Sequence, residues 1–422
     1  MKSVKPLLFF SVVFIALTLL SACDFLKQKN GSTVSYTVQY SVYELLYEKS
    51  VYFGDSLFLA TLDSAERMQK REPGRFLVHF RKAWDSIMPQ RKMADVFSRC
   101  FPGKISRGFS NKDVLKTLKK EKDDAVDQIV KIIKNRLAEL DLEDLNVLRY
   151  ADKDWITFEV KNVENSELVK KTIVPRGELV FWRTYEFADL WDKIENANTR
   201  LASCLKDGQL ENIREYLSIR QDFAKYAKDN PLFALLQPSL LQDEKGNYRC
   251  NKGPVVGFVV ESDRDKVMQM LKVPSVKAML PRDLFFCWSD KPQENSGFFY
   301  ELVALRKELY GLPLLTGDAI TQADQTTNGD GQTEIVIEMN EEGSKRWERI
   351  TKDNIGKSIA LVIDGKVLVY PVVNDIIESG RSSITGNLNE EEAQSLSIVL
   401  KNGKLPMSLI HMHSVENISI KK

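Results

Sequence analysis

The sequence predicts an α+β fold made of two successive α+β units, the first of the ferredoxin-like kind. Short segments alternate apolar and polar residues, as strands do, and longer segments repeat apolar residues every three or four positions, as helices do. In the first unit these segments follow the order strand, helix, hairpin, helix, strand. The chain has 422 residues, which is enough for two or three domains with cores of their own.

The first unit is expected to begin with a half-buried strand, Thr33–Tyr43, in which valine and tyrosine alternate with serine, threonine and glutamine. Residues 56–101 are mixed and mostly helical, and Asn111 is the expected N-cap of a long amphipathic helix. Ser166 is the expected cap of a shorter helix. The remaining elements are a hairpin, that short helix and a last strand, expected at 146–150 with 155–160, at 168–174 and at 178–185.

A helical stretch, 187–241, ends in prolines, and the second unit follows it. Asp364-Gly365 lies between two apolar runs and is the strongest hairpin signal in the chain, because a type I′ turn favours this pair. Asn389 and Glu392 have the spacing of a helix capping box. The other expected elements are strands at 254–260, 283–289, 297–306, 334–339 and 407–413, and helices at 263–271 and 342–350.

The N-terminus predicts a bacterial lipoprotein signal peptide over residues 1–22. Two lysines precede an apolar run from Pro6 to Leu20, and small residues then lead to Cys23, whose thiol would receive the lipid. A spanning helix needs about twenty apolar residues, more than this run contains. The alternative is an uncleaved anchor with a chance cysteine. We therefore expect a lipid-anchored protein of the cell envelope that faces the periplasm.

Charge and cysteine usage argue against several classes of function. From residue 23 onward there are 58 basic and 59 acidic side chains, a net charge of −1, whereas a nucleic-acid binder would show a basic stripe. No later apolar stretch is long enough to span a bilayer. The spacing of the other cysteines fits no zinc pattern and leaves both disulfides and free thiols open: Cys100, Cys204, Cys250 and Cys287.

No constellation of catalytic or metal-binding residues is evident, so the sequence predicts a protein that is not an enzyme and needs no cofactor. His411 and His413 would share one face of a strand, and His79 is far away in sequence, so a plain strand face is a simpler interpretation than a metal site. The glycine-flanked segment 380–386 is interpreted as a turn, a strand and a turn. An anion cradle is less favoured there because no helix N-terminus follows at once.

The C-terminal half contains short motifs in a fixed order: LTGDAITQA at 315–323, MNEEG at 339–343, NIGK at 354–357, ALVIDGKV at 360–367 and GRSSITGN at 380–387. This order and spacing resemble the large periplasmic domain of SecD, or of the fused SecDF, which are accessory subunits of the Sec protein-export machinery. The likeness is densest over residues 311–406. It implies structural roles for the family-motif residues Gly317, Gly343, Gly356, Asp364, Gly365, Gly380, Gly386 and Pro406.

The resemblance implies a ferredoxin-like base with an inserted α+β head. By this likeness the base spans residues 23–188 and is completed by 406–422, while the head spans 189–405. The family domain is thought to hold emerging polypeptide and to move, driven by protons that cross its membrane helices. The resemblance therefore implies a membrane-tethered protein that binds exported polypeptide or the Sec translocon. The aromatic-rich segment 285–300 is a candidate lining for a binding groove.

Three departures from the family pattern qualify this expectation. Residues 34–43 lack the family's glycine-rich segment, and 136–142 replace its Arg-x-Asp motif. The sequence ends at Lys422, where the family enters its remaining membrane helices, so we expect no proton coupling within this chain. The alternative is a structural lipoprotein, a scaffold of an envelope complex with no polypeptide substrate.

Overall fold

The computed structural model describes residues 32–49, 55–219, 224–293 and 296–417. The predicted signal peptide and Cys23 lie outside these residues. Contacts within the chain divide it into two compact units. We call them the base, which comprises the chain through Val174 and again from Pro406, and the head, Pro175–Leu405.

The described strands are β1 Ser32–Tyr40, β2 Leu145–Arg149, β3 Trp155–Val163, β4 Leu179–Thr184, β5 Gln237–Pro238, β6 Leu240–Gln242, β7 Tyr248–Cys250, β8 Val255–Val260, β9 Leu284–Trp288, β10 Phe299–Arg306, β11 Leu315–Thr316, β12 Ile320–Thr327, β13 Thr333–Met339, β14 Ile359–Ile363, β15 Lys366–Val369, β16 Arg381–Thr385 and β17 Leu409–Asn417. They form antiparallel sheets in both units.

The described helices are α1 Val42–Glu48, α2 Ser56–Arg71, α3 Phe76–Ile87, α4 Met93–Phe97, α5 Asn111–Ala138, α6 Ser166–Ile173, α7 Phe187–Lys206, α8 Glu211–Ile219, α9 Ala224–Asp229, α10 Arg264–Lys272, α11 Pro274–Lys277, α12 Glu341–Asp353 and α13 Glu390–Lys401. Short 3₁₀ turns occur at Glu261–Asp263, Leu309–Gly311 and Gly317–Ala319. Helices and antiparallel sheets together confirm the predicted α+β class. Within the described residues, no helix is both long and apolar enough to cross a bilayer.

The base contains a four-stranded antiparallel sheet with the order β17-β1-β3-β2. Numbered within the base alone this is the order 4-1-3-2, with helical crossovers before β2 and after β3, so the ferredoxin-like expectation is confirmed. One face of the sheet supplies buried side chains to the core, among them Val34, Tyr36, Ile156 and Phe158. Every second side chain of β1 therefore faces this core, which explains the alternation of apolar and polar residues in its sequence.

The starts of the base helices differ slightly from expectation. β1 ends at Tyr40 because Ser41 caps α1, so the strand does not reach Tyr43. Ser110, not Asn111, caps α5 in a capping box, and Asn165, not Ser166, caps α6. At both of these helix starts, two adjacent residues have side chains that can cap a helix. The first of the two has the extended backbone of an N-cap residue, so its side chain accepts the free backbone N–H of the first turn.

The base also buries a carboxylate. Asp154 is 1% exposed, and it follows the turn that joins β2 and β3. One of its oxygens, Oδ2, accepts the backbone N–H of Phe76 at 2.6 Å and the amide of Gln69 at 3.2 Å. The buried Lys122 ammonium lies 3.7 Å from the other oxygen. Burial raises the pKa of Asp154, against these hydrogen bonds and the lysine charge, which lower it.

The strand β4 belongs to the head, although the family resemblance implied a base that extends to residue 188. It pairs with β10, β11 and β14, and the fourth strand of the base sheet is β17 instead. β4 has six residues and β17 has nine, and both have partners that are distant in sequence. A local pattern predicts that such a strand exists but does not predict its sheet.

The head contains a large sheet that closes on itself. β10 pairs with β4 and β9, β4 with β14, and β14 with β15. A parallel bridge between Ser289 and Val367 then joins the end of β9 to β15. A buried apolar cluster fills this ring, including Val303, Leu305 and Val362. The helices α7–α11 and the strand β8 build a second core in the same unit.

Candidate functional site: the open edge of a head sheet

A second sheet of the head has the strand order β12-β13-β16 and is antiparallel. β12 pairs with β13 from Gln322 opposite Glu338 to Thr327 opposite Thr333. β13 pairs on its other side with β16. β12 is therefore an edge strand of eight residues, longer than the average strand of about five or six.

The backbone of β12 presents hydrogen-bonding groups away from the sheet. Asn328 donates its backbone N–H to the carbonyl of Gln332 at 2.9 Å, so these two residues form a hydrogen-bonded pair at the end of the β12–β13 ladder. Bonded and non-bonded pairs alternate in an antiparallel ladder, so the N–H and C=O groups of Ala323, Gln325 and Thr327 face outward. Among the described residues, none bonds to these outward groups. The strand thus has an open edge.

This edge lacks the features that usually protect an edge strand. Native edges are commonly blunted by lysine, by proline or by a bulge. β12 contains neither lysine nor proline, and its register shift lies at its start, between Ile320 and Gln322. Asp324 is its one charged residue. An unprotected edge of this kind is a template for the addition of an extended chain.

The hairpin that carries the open edge is acidic. Residues 320–339 include no lysine or arginine and contain the four acids Asp324, Asp330, Glu334 and Glu338. Gln322 lies opposite Glu338 and Thr326 opposite Glu334, so three of these acids share one face of the sheet. Arg381 on β16 comes within 4.0 Å of Glu338. The face keeps a net negative charge that favours a basic partner.

The opposite face of the sheet rests on a buried core. Ala323, Ile335 and Ile337 are buried there with Ala393 and Leu400 of α13. Helix α13 begins at the predicted capping box, in which Asn389 accepts the N–H of Glu392 at 3.0 Å. The open edge is therefore part of a packed layer and is held in one conformation before any partner binds.

Two family-motif glycines lie where the chain enters and leaves the β12–β13 hairpin. Gly317 starts the 3₁₀ turn before β12, and a Cβ added there would lie 3.2 Å from Leu179 Cβ. Gly343 lies in the first turn of α12, where an added Cβ would lie 2.7 Å from Ala319 Cβ. Both positions bring backbone and side chains together more closely than a larger residue permits.

Two more family-motif glycines lie at the ends of β16. Gly380 precedes β16, has φ +66°, and accepts the N–H of Met339 at 3.1 Å. An added Cβ would overlap Ser344 Oγ, so both the backbone angle and the available space require glycine. Gly386 follows the strand, and its Cβ would lie 2.7 Å from Val369 Cγ1. Four motif residues thus fix the ends of the strands around the open edge.

The Asp364-Gly365 hairpin is confirmed, with φ of +48° and +78° at its two central residues. The Asp364 carboxylate accepts the backbone N–H of Glu178 at 2.8 Å and that of Gly177 at 3.2 Å. The turn therefore holds the segment of the head that precedes β4. This contact gives Asp364 a structural function beyond its turn propensity.

The last two motif residues lie elsewhere. Gly356 has φ +77° and donates its N–H to the carbonyl of Val373 at 2.8 Å. Pro406 is the residue at which the chain re-enters the base. Neither contributes to the open edge, and their family roles stay predictions.

A polar groove of about 320 Å³ lies beside the large closed sheet of the head, at β15 and the loop between β9 and β10. Glu301 is one of the residues that line it and accepts hydrogen bonds from Tyr370 Oη at 2.8 Å and Gln293 Nε2 at 3.2 Å. Lys291 at its rim forms an ion pair with Glu392. These polar groups satisfy one another, so the groove offers a ligand fewer unpaired donors and acceptors than the edge of β12 does.

The comparison with protein families matches residues 301–407 to the family described as SecDF, P1 head subdomain. This stretch contains the whole three-stranded sheet. The protein translocase subunit SecD of Rhodothermus marinus is 28% identical to the chain over 364 residues, which are 83% of this chain and 56% of that protein. The chain is SecD-like.

Other SecD relatives are more similar to the chain over shorter stretches. SecD of Dictyoglomus turgidum is 40% identical over 101 residues, 24% of this chain and 25% of that protein. A solved structure of SecDF, described as a membrane component that enhances protein export, matches with 20% identity and a TM-score of 0.36, covering 68% of this chain and 90% of that one. The chain spans about half of the Rhodothermus protein and a quarter of the Dictyoglomus protein.

The histidines of the SecD-like chain do not form a metal site in the described residues. His411 has φ +51° and lies at a bulge of β17, so the alternation expected for His411 and His413 is interrupted. His413 stacks on Trp155 with ring centroids 6.1 Å apart, and His79 is buried in α3. Among the described residues, no three histidine, cysteine, aspartate or glutamate side chains come together as metal ligands.

The cysteines of the head are unbridged thiols. Cys204 is buried and lies 3.3 Å from Ser275 Oγ, and Cys287 donates a hydrogen bond to the carbonyl of Gly365 at 2.9 Å. Burial raises the pKa of Cys287 to about 11 and also raises that of the half-buried Cys250. Cys100 lies in the base. Of the two alternatives left open by the sequence, the thiol is the one observed at Cys204, Cys250 and Cys287.

Two site features differ from the sequence analysis. The segment 285–300 was a candidate lining for a groove. Its polar residues Lys291 and Gln293 line the polar groove, whereas the rings of Trp288 and Tyr300 pack against the Arg264 guanidinium, with centroids 5.3 and 4.4 Å from its carbon. The strand β12 was not predicted at all, because its apolar residues are only Ile320 and Ala323. The Asn328-Gly329 pair that follows is a hairpin signal, and it was the one indication of a preceding strand.

Proposed function

We propose that this chain assists protein export by binding extended, unfolded polypeptide along the open edge of β12. The observation that carries the proposal is that this edge lies inside residues 301–407, the stretch that matches the SecDF P1 head subdomain. Strand addition recognises backbone N–H and C=O groups, which every polypeptide has. A protein that assists export must accept many sequences, and an edge strand meets that requirement.

The same mechanism distinguishes unfolded from folded chains. In a folded protein nearly all backbone groups are already paired, so it has few to offer to an edge. An unfolded chain has its backbone exposed and can pair with Ala323, Gln325 and Thr327. Binding is weak in this proposal, because the polypeptide loses conformational freedom when it becomes a strand.

The acidic hairpin adds a preference for charge. Asp324 is exposed, and Glu334 and Glu338 lie on the same face. Lysine or arginine in the added strand would gain modest electrostatic attraction, which salt would weaken. The proposed substrate class is therefore an unfolded polypeptide segment with net positive charge.

We further propose that the chain is anchored through a lipid on Cys23, faces the periplasm and works beside the Sec translocon. The basis is the apolar leader with its cysteine and the resemblance to SecD. Radioactive palmitate should label the wild type in cells and should not label Cys23→Ser. Equal labelling of both proteins would rule out this anchor.

Independence from proton coupling within this chain also stays a proposal. It is tested by expressing the chain in cells depleted of every other SecD copy. We expect no restoration of export, because the proposal assigns this chain a binding role and no source of work. Restored export would contradict this part of the account.

The binding role is tested by site-specific photocrosslinking in cells. A photoreactive amino acid replaces Thr327 on the open edge or, as a control, the exposed Lys352 on α12. We expect Thr327 to capture many secretory polypeptides while export is active, and Lys352 to capture far fewer. Thr327 should lose its adducts when synthesis of secretory proteins stops.

The scaffold alternative makes a different prediction in the same experiment. A scaffold would give one adduct of fixed size, and that adduct would persist when export is stopped. Either that pattern or equal capture at Thr327 and Lys352 would contradict polypeptide binding at this edge.

A further inference from the structure

The near-neutral net charge of the chain conceals a strongly basic region in the base. Residues 66–120 contain 15 lysines and arginines and 5 acids, a net charge of +10, while the whole chain has a net charge of +1. The remainder of the chain is therefore negative by 9. These 55 residues include part of α2, all of α3 and α4, and the first part of α5. Such segregation creates a local positive field that the total charge does not reveal.

The acids in this region are mostly engaged by near neighbours. Glu66 pairs with Lys70, Asp85 with Arg81, and Asp113 accepts the N–H of Ser110 in the capping box of α5. Many cations are left exposed. Within the described residues, no ion pair involves the exposed side chains of Lys82, Lys92, Arg99, Arg107, Lys112, Lys116, Lys119 and Lys120.

Four of these cations form a stripe along the start of α5. Lys112, Lys116 and Lys120 are spaced by four residues, and Lys119 lies beside them. An ion pair of 2.5 Å between Lys104 and Glu121 fixes the preceding loop, which also carries Arg107, next to this part of the helix. We call Lys112, Lys116, Lys119 and Lys120 the lysine stripe.

The lysine stripe places like charges close together at the start of the helix. Like charges four residues apart repel one another on a helix surface, and cations in the first turns oppose the positive end of the helix dipole. Lys112 and Lys116 also attract the carboxylate of Asp113. Among the described residues no ion pair holds any of the four lysines, so their charge is available to an anionic partner outside the chain.

We infer that the lysine stripe docks the base on a membrane surface rich in anionic phospholipid. Clusters of four to eight lysines near a membrane attract anionic headgroups, each contributing independently. The stripe contains no arginine and no aromatic residue. Bidentate phosphate recognition uses arginine, and single-stranded nucleic acid is bound by aromatic stacking, so diffuse attraction to headgroups fits this composition better.

The short length of chain between Cys23 and the base also supports a membrane surface as the partner. Ser32, the first residue of β1, is nine residues from Cys23. If Cys23 carries the proposed lipid, the chain between them reaches at most about 32 Å. The base is then confined near the bilayer. In this respect the inference rests on the proposed function, but the docking itself can be measured without export.

The test compares binding of the full chain to two kinds of vesicle. One is made of phosphatidylcholine alone and the other of phosphatidylcholine and phosphatidylglycerol in equal parts. The ratio of the two bound fractions removes any charge-independent binding by the apolar N-terminal run. We expect the wild type to favour the anionic vesicles by about tenfold or more at low salt and to lose the preference in about 0.5 M sodium chloride.

A matched pair of fourfold variants identifies the site. Lys112→Gln, Lys116→Gln, Lys119→Gln and Lys120→Gln together should reduce the preference to about twofold or less. The control replaces four exposed lysines of the head by glutamine, namely Lys252, Lys272, Lys352 and Lys357. It removes the same total charge and should retain most of the preference. Circular dichroism should show no loss of helix in the stripe variant, because repulsion is relieved.

Three results would overturn the inference. The first is equal binding of the wild type to both vesicle types at low salt. The second is the same loss of preference in the stripe variant and the head control, which would indicate an effect of total charge alone. The third is tight binding to heparin or RNA with no preference for anionic vesicles, which would assign the stripe to another polyanion. Failure of export assays with intact vesicle binding would instead count against the proposed function only.

Discussion

The base and the head carry opposite local charges, and each charge is placed where the surrounding structure leaves it exposed. Residues 66–120 of the base have a net charge of +10, and residues 320–339 of the head contain four acids and no basic residue. In the base the cations lie on helices, as flexible side chains. In the head the acids lie on a two-stranded hairpin whose backbone is open on one side. The cations of the base are therefore suited to attracting a charged surface, and the open strand of the head is suited to recognising the backbone of a polypeptide.

Both regions contain buried as well as exposed polar groups. The base encloses Asp154 with Lys122, and the head encloses Asp263 with Tyr216 and Lys266, whereas the polar groups around Glu301 line an open groove. Buried charge is sensitive to the loss of one partner, and exposed charge is not. Variants in the two regions should therefore have separable effects on stability, vesicle binding and peptide binding.

The largest effect is expected from Asp154→Ala in the base. It leaves the Phe76 N–H without its acceptor and removes one of the two carboxylates beside the buried Lys122 ammonium, whose other partner is Asp123 at 3.2 Å. The free energy of unfolding should therefore fall by about 3 kcal/mol. Urea unfolding of purified protein measures the change. The exposed neighbour Asp152→Ala is the control and should change stability by less than about 0.5 kcal/mol. Equal effects of the two variants would show that the carboxylate is not a supporting group of the base.

The next effect is expected from Gly380→Ala in the head. A residue with a Cβ would be strained at φ +66° and would overlap Ser344, so we expect a loss of about 2–3 kcal/mol. Binding of unfolded peptide should weaken together with stability, while the preference for anionic vesicles should stay. Gly329→Ala, where no heavy atom lies near the added Cβ, is the control. A stable Gly380→Ala protein would contradict the close packing of β16 on α12.

A smaller effect should appear in the pH dependence of stability. Burial raises the pKa of Asp154 above its unfolded value, so in the window between the two values the unfolded state binds fewer protons. The free energy of unfolding should therefore fall as pH rises through that window, by at most about 1.4 kcal/mol per pH unit. Asp154→Asn should lack this slope. An identical pH profile in both proteins would assign the dependence to other groups.

The smallest effect concerns charge at the open edge. Asp324→Asn with Glu334→Gln should weaken binding of a lysine-containing unfolded peptide by about two- to fivefold at low salt. A neutral peptide of the same length should bind the variant and the wild type alike. Fluorescence anisotropy at two salt concentrations measures both. A loss that is the same for both peptides would indicate damage to the sheet, not removal of an electrostatic preference.

The sequence predicted the elements better than it predicted their partners. Caps and turns are local, so the capping box at Asn389 and the Asp364-Gly365 hairpin were placed correctly. The sheet to which β4 belongs depends on strands more than a hundred residues away and was assigned wrongly. The family motif glycines were found, but their common position around one sheet requires the fold. That β12 is an edge strand depends on the absence of a neighbour, which no local pattern of residues encodes.

The central claim is that the backbone of β12 accepts an extended polypeptide, and one substitution tests it most directly. Gln325→Pro removes an outward N–H without removing a bond of the β12–β13 ladder, since proline is tolerated on an exposed edge. Gln325→Ala keeps that N–H and is the matched control. The account predicts that Gln325→Pro binds an unfolded basic peptide about three- to tenfold more weakly than Gln325→Ala, with both proteins equally stable to urea. Equal peptide affinity in the two variants would contradict binding through this edge.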